Sequence, residues 1–281
     1  MNLKEKIKNS IRAYTIGDAL GVPYEFKRRG TFNCNTFSSG GYHGQESGVW
    51  SDDTSVLLCL IDAMSNHDYI DDQYDSFKLN MKKWFNRQSF SATKEGWFDI
   101  GNQTRTAILL NDMGRDCDET NSMGNGALFY ALPVAILMVV DEFSDASGKK
   151  YFEFFCKYSH HNKNCFEFGS RFCLLIRKLL LDLPIESIDV GVYQNRGDVE
   201  NTYNLVIDNF LAKKDQSSTL FSDLCDIVNL GEDTDTNAAL LGALMGTIKE
   251  VDLSDWIQIK NHEAIDSQID AFISSIELWM K

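Results

Sequence analysis

Basic charge is scarce in this 281-residue chain: 27 lysines and arginines face 41 aspartates and glutamates, for a net charge of −14. Nucleic acid and anionic membrane both need basic surface, so neither is expected as the main partner. A cationic partner, or bound metal offsetting part of the charge, fits better. Proline is rare too, with three residues, and clear apolar–polar alternation is scarce, which argues against a β-rich fold. The seven cysteines, at 34, 59, 117, 156, 165, 173 and 225, are scattered and contain no C-x-x-C pair. That excludes an evident zinc ribbon and reads as free thiols in a reducing cytosol. The charged start, Met1-Asn2-Leu3-Lys4-Glu5, lacks an apolar stretch, so no signal peptide is expected. The longest apolar run, Gly126 to Val140, is too short to span a bilayer and holds Pro133. A cytoplasmic protein is expected.

With 43% hydrophobic residues the chain can bury a substantial core. Leu3, Ile7, Ile11 and Tyr14 recur at helical spacing and predict an amphipathic N-terminal helix. It runs into Gly17-Asp18-Ala19-Leu20-Gly21, whose glycines permit close backbone approach. Ser51-Asp52-Asp53 is a good helix start, followed by Val56, Leu57, Leu60, Ile61 and Met64. Further helices are expected at 75–87, 102–111, 125–140, 148–158, 165–181, 200–212, 219–229, 235–250 and 262–280. Loops are expected at 27–49, 88–101, 112–124, 141–147 and 182–199, with an isolated strand possible from Ile188 to Tyr193. No repeat or interdomain linker is evident, so the reading is one all-α domain over 1–281. Asp235 to Gly246 is apolar or small almost all round, the pattern of a centrally buried helix.

Two acidic clusters stand out: Ser51-Asp52-Asp53-Thr54 and Asp233-Thr234-Asp235-Thr236. Each packs two carboxylates beside hydroxyls and opens an apolar segment. Two charges ~4 Å apart at a typical effective dielectric repel by about 4 kcal/mol, so solvent, protons or cations must offset them. Helix capping accounts for either cluster alone. Taken together, they offer hard oxygen ligands suited to Mg²⁺, Mn²⁺ or Ca²⁺ rather than zinc.

The ordered motifs resemble those of the ADP-ribosylglycohydrolases. Gly17-Asp18-Ala19-Leu20-Gly21 with Glu25, and Gly48-Val49-Trp50-Ser51-Asp52-Asp53-Thr54, look like the family's first signatures. Asp99-Ile100-Gly101-Asn102 with Thr104 and Ala107, Gly124-Asn125-Gly126-Ala127 with Pro133, and Ser159-His160 resemble the middle ones. Gly231-Glu232-Asp233-Thr234-Asp235-Thr236 with the small residues after it is similar to the last. The motifs occur in the family's order and span residues 17–246.

The resemblance implies an all-α bundle with a binuclear, usually magnesium, centre at the base of a cleft. By position, Ser51, Asp52, Asp53, Asp233, Asp235 and Thr236 would hold two Mg²⁺ ions, with Mn²⁺ possible. Glu25 would be a catalytic or substrate-orienting carboxylate, and Asp99 a second acid/base candidate across the cleft. Gly124, Asn125, Gly126 and His160 would line the ADP-ribose site, with Asn102 nearby and the loop Gly41-Tyr42-His43 closing over it. The implied reaction is Mg²⁺-dependent release of ADP-ribose from a modified protein side chain, arginine first, with serine and other linkages as alternatives. A non-enzymatic or immunity-type binding protein on the same fold is the competing reading. Lens crystallins of the family are precedents for loss of activity, and the acidic surface would suit a basic partner.

Two departures from the pattern stand out. Leu128-Phe129 replaces the usual Met-Arg after Ala127, which puts a helix-anchoring or cleft-wall contact in question, and Glu232 adds a carboxylate beside Asp233. The family's longer variants carry N-terminal extensions; this chain begins almost at the first motif and is expected to be a catalytic core. Trp50 and Trp97 are candidates for stacking adenine, although burial is the commoner fate of tryptophan. Adjacent His160 and His161 diverge on any regular element and are not expected to share a metal. His43, His67 and His262 have no partner evident in the sequence.

Overall fold

Two helices from opposite ends of the chain lie against one another at the centre of the molecule. The computed structural model describes residues 1–140 and 143–279, and among these every regular element is helical. α1 (Leu3–Gly21) starts from a capping box in which Asn2 Oδ1 accepts from Glu5 N and Glu5 Oε2 accepts from Asn2 N. α10 (Thr234–Met245) is buried along its whole length and packs on α1. Glycine makes that approach possible. A Cβ on Gly17 would fall 2.2 Å from the carbonyl oxygen of Ala238, and one on Gly242 would fall 2.2 Å from that of Ala13. The small residues of the 235–246 segment therefore let two backbones touch.

α2 (Asp52–Asn66) is the second buried helix, covered by α3 (Ile70–Phe85) and α12 (His262–Trp279). α4 (Asn102–Asp112) packs on α3. α5 (Ala131–Val140), α6 (Asp145–Cys156), α7 (Lys163–Leu180), α8 (Val199–Lys213) and α9 (Leu220–Val228) complete the bundle, with the one-turn α11 (Leu253–Trp256) before α12. No helix among the described residues is long and apolar enough to cross a membrane. All seven cysteines are free thiols, six of them buried.

Most expected helices form within a few residues of their sequence-based bounds. The expected 125–140 helix is instead a 3-10 segment, Asn125–Tyr130, followed by α5. Pro133 falls in the first turn of α5, where its missing N–H costs nothing. α10 stops at Met245 rather than 250, its end folding into a turn where the Thr247 hydroxyl donates to Leu244 O. α3 starts earlier than expected, at Ile70, with polar Asp71 and Asp72 in its first turn. The possible strand from Ile188 to Tyr193 is absent: that stretch finds no ladder partner, and Asn204 Oδ1 accepts from Gly191 N instead. Residues 141–142 of the expected loop and residue 280 of the expected last helix lie outside the described residues.

The turn before α12 fastens two of the long loops. Lys260 N donates to Gly48 O at 2.9 Å, and Trp50 Nε1 donates to Lys260 O at 2.9 Å. Asn261 Nδ2 donates to Ser91 O and Ala92 O. These bonds hold the segment leading into Ser51 beside the segment leading into Asp99.

Candidate active site

The start of α2 is built on a buried carboxylate that the sequence reading did not assign. Asp18 on α1 accepts from Ser51 N at 2.8 Å, Thr54 N at 3.0 Å and Thr54 Oγ1 at 2.5 Å. It satisfies N–H groups that a helix start leaves free and so fixes where Asp52 and Asp53 emerge. Burial pushes its carboxyl up to about 6, with the Thr54 and Ser51 hydrogen bonds pulling the other way. The signal was present in the sequence as an aspartate between apolar residues of a helix otherwise destined for the core.

Helix capping explains one cluster and not the other. Ser51 is the N-cap of α2, its hydroxyl accepting from Asp53 N at 3.3 Å. Asp233 occupies the N-cap position of α10, yet its side chain makes no capping bond. It is held from outside, with Asn125 Nδ2 donating to Asp233 Oδ2 at 2.6 Å and the Thr236 hydroxyl also engaged with it. Thr234 Oγ1 donates to Gly21 O at 2.7 Å, tying the start of α10 to the end of α1.

The two helix mouths do converge. Carboxylate oxygens of Glu25, Asp233 and Asp235 lie within 4.8 Å of one another. Asp53 is buried close enough to Asp235 for that charge to be the leading one opposing its ionisation. Asp52 leans the other way, toward Asp99, and accepts from Gly101 N at 3.4 Å. Burial lifts the carboxyls of Asp52, Asp53 and Asp235 well above the usual range, and each neighbour's charge lifts them further. Asp233 is raised by burial as well, with the Asn125 bond opposing the shift. Asp53 Oδ2 and Asp235 Oδ1 are buried and have no hydrogen-bond partner. Orphaned buried carboxylate oxygens are costly unless something cationic is meant to sit on them. Hard oxygens, mutual repulsion and orphaned lone pairs together fit divalent cations.

Glu25 stands at the edge of this basin. Burial and the nearby Asp99 push its carboxyl up to about 11, while burial lowers the imidazole of His43. Glu25 Oε2 and His43 Nε2 are 2.6 Å apart, which suits a protonated carboxyl donating to a neutral ring. His43 therefore has a partner that no spacing rule would have paired with it. Asp99 Oδ2 is 3.7 Å from the same nitrogen. The residue has φ +50, and it does not cap α4, whose N-cap is Gly101. Gly41 and Tyr42 lie in the same tight turn as His43, closed by backbone bonds between Gly40 and Gln45. Asn102 is exposed on the first turn of α4.

His160 is buried and kept neutral, its pKa pushed down to about 3 by desolvation. Its Nδ1 bonds the Ser159 hydroxyl at 2.7 Å, and its Nε2 lies against Gly124 and Gly126. It thus supports the turn from below. Two of that turn's N–H groups are already used, Gly124 N donating to Gln103 Oε1 and Asn125 N to Gly197 O. An anion cradle there would have Gly126 as its remaining donor. Leu128 and Phe129 are core residues, so the position of the missing Met-Arg pair is filled by packing. His161 turns away to Cys117 O, as adjacent side chains should.

Neither tryptophan is free to stack a base. Trp50 is buried, and Trp97 is stacked on Phe85 with its Nε1 donating to Phe85 O. His67 caps the end of α2 and His262 opens α12, with Gln73 Nε2 donating to His67 O and His262 Nδ1 facing Ile259 O. Glu232 is an exposed residue at φ +63, its backbone paired with residues 26 and 27.

The family model of the ADP-ribosylglycohydrolases matches residues 1–204. The chain belongs to the ADP-ribosylglycohydrolase family. It is 31% identical over 136 residues to the ADP-ribosylarginine hydrolase Tri1 of Pseudomonas putida, and 30% identical over 138 residues to that of Serratia proteamaculans. Each alignment covers 47% of this chain and 36% of the Tri1 protein, so the match spans about a third of those relatives. A protein of Acanthamoeba polyphaga mimivirus, provisionally named ADP-ribosyl glycohydrolase, aligns over 98% of this chain and 96% of its own length at 24% identity. Among solved structures, one titled ADP-ribosylglycohydrolase-related protein complex superposes with a TM-score of 0.77 over 98% of this chain and 99% of that one. At 19% identity it establishes the fold alone.

Proposed function

We propose that this ADP-ribosylglycohydrolase cleaves the glycosidic bond between ADP-ribose and a modified protein side chain, with arginine as the favoured attachment. The observation that carries the reading is the convergence of Glu25, Asp53, Asp233 and Asp235, with orphaned oxygens on Asp53 and Asp235. The names of the Tri1 relatives support arginine.

Asp52, Asp53, Asp233 and Asp235, with the hydroxyls of Ser51 and Thr236, would hold two divalent ions, Mg²⁺ in the first instance and Mn²⁺ as a substitute. Bound there, the ions would fix ribose hydroxyls and acidify water. Asp18 keeps the α2 carboxylates pointed into the basin, and Asn125 does the same for Asp233. Charge develops at the anomeric carbon as the bond breaks, and surrounding carboxylates stabilise it. Glu25 is placed to exchange a proton, since its buried carboxyl keeps one near neutral pH and reaches both the acidic basin and His43. Asp99 lies across from it as the second acid/base group. The Gly124–Gly126 turn, braced by His160, forms the adjoining wall.

The test is release of ADP-ribose from arginine-, serine- and nucleic-acid-linked substrates by the purified chain, with and without EDTA. EDTA-sensitive release from the arginine linkage is expected, and Asp52→Ala or Asp235→Ala should abolish it while preserving the helical far-UV spectrum. An inert wild-type chain, or full activity in either variant, would refute the assignment.

A further inference from the structure

The imidazole of His43 occupies a box with an unusual composition. Two carboxylate oxygens face its Nε2, Glu25 Oε2 at 2.6 Å and Asp99 Oδ2 at 3.7 Å. Three aromatic rings surround it, with centroids 5.1 Å away for Phe98, 5.0 Å for Tyr42 and 6.1 Å for Phe26. Phe26 and Tyr42 pack edge to face, centroids 5.0 Å apart. Both are conspicuously exposed for aromatic residues, at 56% and 75%.

The position of Phe26 is expensive. It sits at φ +64, a conformation costly for a bulky side chain, and it is held there because its N–H donates to Glu232 O at 2.8 Å. That strained backbone keeps an apolar ring in solvent beside His43. Packing gives no reason to do this, because the ring gains little burial.

The box also has a definite place relative to the basin. Glu25 belongs to both, since its carboxylate lies within 4.8 Å of Asp233 and Asp235 on one side and of His43 and Asp99 on the other. A side chain leaving a ribose held at the aspartates would therefore have this box beside it. A planar cation with several N–H donors matches such a surround of carboxylates and rings. Guanidinium can pair with the carboxylate of Asp99, donate to the carbonyl oxygen of protonated Glu25 and stack on the aromatic faces. A serine hydroxyl would use almost none of it.

We propose that the box formed by Glu25, Phe26, Tyr42, Phe98 and Asp99 is the leaving-group subsite, built for the guanidinium of arginine. In the ligand-free chain His43 fills it as an internal stand-in, and the substrate arginine displaces that side chain. His43 sits in a tight turn with three glycines at positive φ, Gly40, Gly41 and Gly44. The inference rests on the hydrolase reading above and adds the residues that choose the linkage.

Steady-state hydrolysis of an arginine-linked ADP-ribosylated peptide by wild type, Phe98→Leu and His43→Ala tests it, with ADP-ribose affinity measured by calorimetry in Mg²⁺. Phe98→Leu should raise KM about tenfold, and His43→Ala should lower KM several-fold because the competitor is gone. Both should bind ADP-ribose within about twofold of wild type. Turnover by wild type with both variants unchanged in KM would overturn the subsite alone. Equal losses in ADP-ribose affinity would also overturn it, by assigning the box to the nucleotide. A fall in metal stoichiometry in His43→Ala would make it a third metal site and overturn it as well. A wild-type chain that leaves the arginine linkage intact would overturn the proposed function and the subsite together.

Discussion

Replacing Gly21 with alanine should destabilise the protein even though the position is helical. An added Cβ would lie 2.2 Å from both Cα and N of Asp235, where ordinary contact begins at 3.4 Å. The helices must therefore separate by on the order of 1 Å, and the obstructing atoms are backbone, which cannot rotate away. Overpacking of this kind costs roughly 1–3 kcal/mol, and the collision with backbone places Gly21 near the top of that range. The substitution also gains about 1 kcal/mol from the helix preference of alanine over glycine. The net loss is about 2 kcal/mol, a fall in Tm of roughly 4–8 °C for a chain of this size. The displaced atoms belong to Asp235, so divalent-ion affinity should fall with stability. Calorimetry and Mg²⁺ titration of Gly21→Ala, beside Gly101→Ala where the nearest atom is 3.9 Å away, make the comparison. A Gly21→Ala protein as stable as wild type, with unchanged ion affinity, would refute the close-approach reasoning.

Three other outcomes follow from the same geometry. Burial lifts Asp18 from 3.8 to about 6, so the folded chain keeps a proton that the unfolded chain releases, and stability falls by about 3 kcal/mol as pH rises through those values. Asp52, Asp53 and Asp235 shift in the same direction. In EDTA the Tm should therefore drop between pH 4 and 7, and Mg²⁺ should flatten the drop; parallel curves would contradict this. Asn125→Ala removes the donors to Asp233 at 2.6 Å and Thr202 at 3.1 Å. Losing a bond to a charged partner should cost about 2 kcal/mol in urea unfolding, and an unchanged midpoint would contradict that. Asp18→Asn puts an amide where three donors converge, so ADP-ribose release should fall at least tenfold while the helix content persists; wild-type turnover would show that Asp18 does not orient α2.

Much of this could be read in the residues. The period of Leu3, Ile7, Ile11 and Tyr14 marked α1, and the apolar circumference of Asp235–Gly246 marked the buried α10. Ser51-Asp52-Asp53 announced a helix start. Boundaries failed where polar residues opened a helix, as at Asp71-Asp72, or where glycine packing ended one, as at Gly246. Residue types made Asp53 and Asp235 candidates for a cation, but only the close packing of α1 on α10 brings Asp18 and Asp235 to one place. Asp18 was hidden because its role is to accept bonds from a helix 33 residues away. His43 and Glu25 were hidden for a similar reason, since a turn over Pro23 and Gly41 joins them and no periodicity encodes that contact. The fold of residues 88–101 was equally unreadable, being tied at Ser91 and Ala92 by Asn261 from far along the chain.

The central claim is that bound divalent ions offset the repulsion among the buried aspartates. Titration of Mg²⁺ into EDTA-treated protein, by calorimetry with ADP-ribose present, measures it directly. Two ions per wild-type chain, and loss of binding in an Asp53→Asn/Asp235→Asn double variant that remains folded, are the predicted result. No ion bound by the folded wild-type chain, or undiminished binding by the double variant, would contradict it.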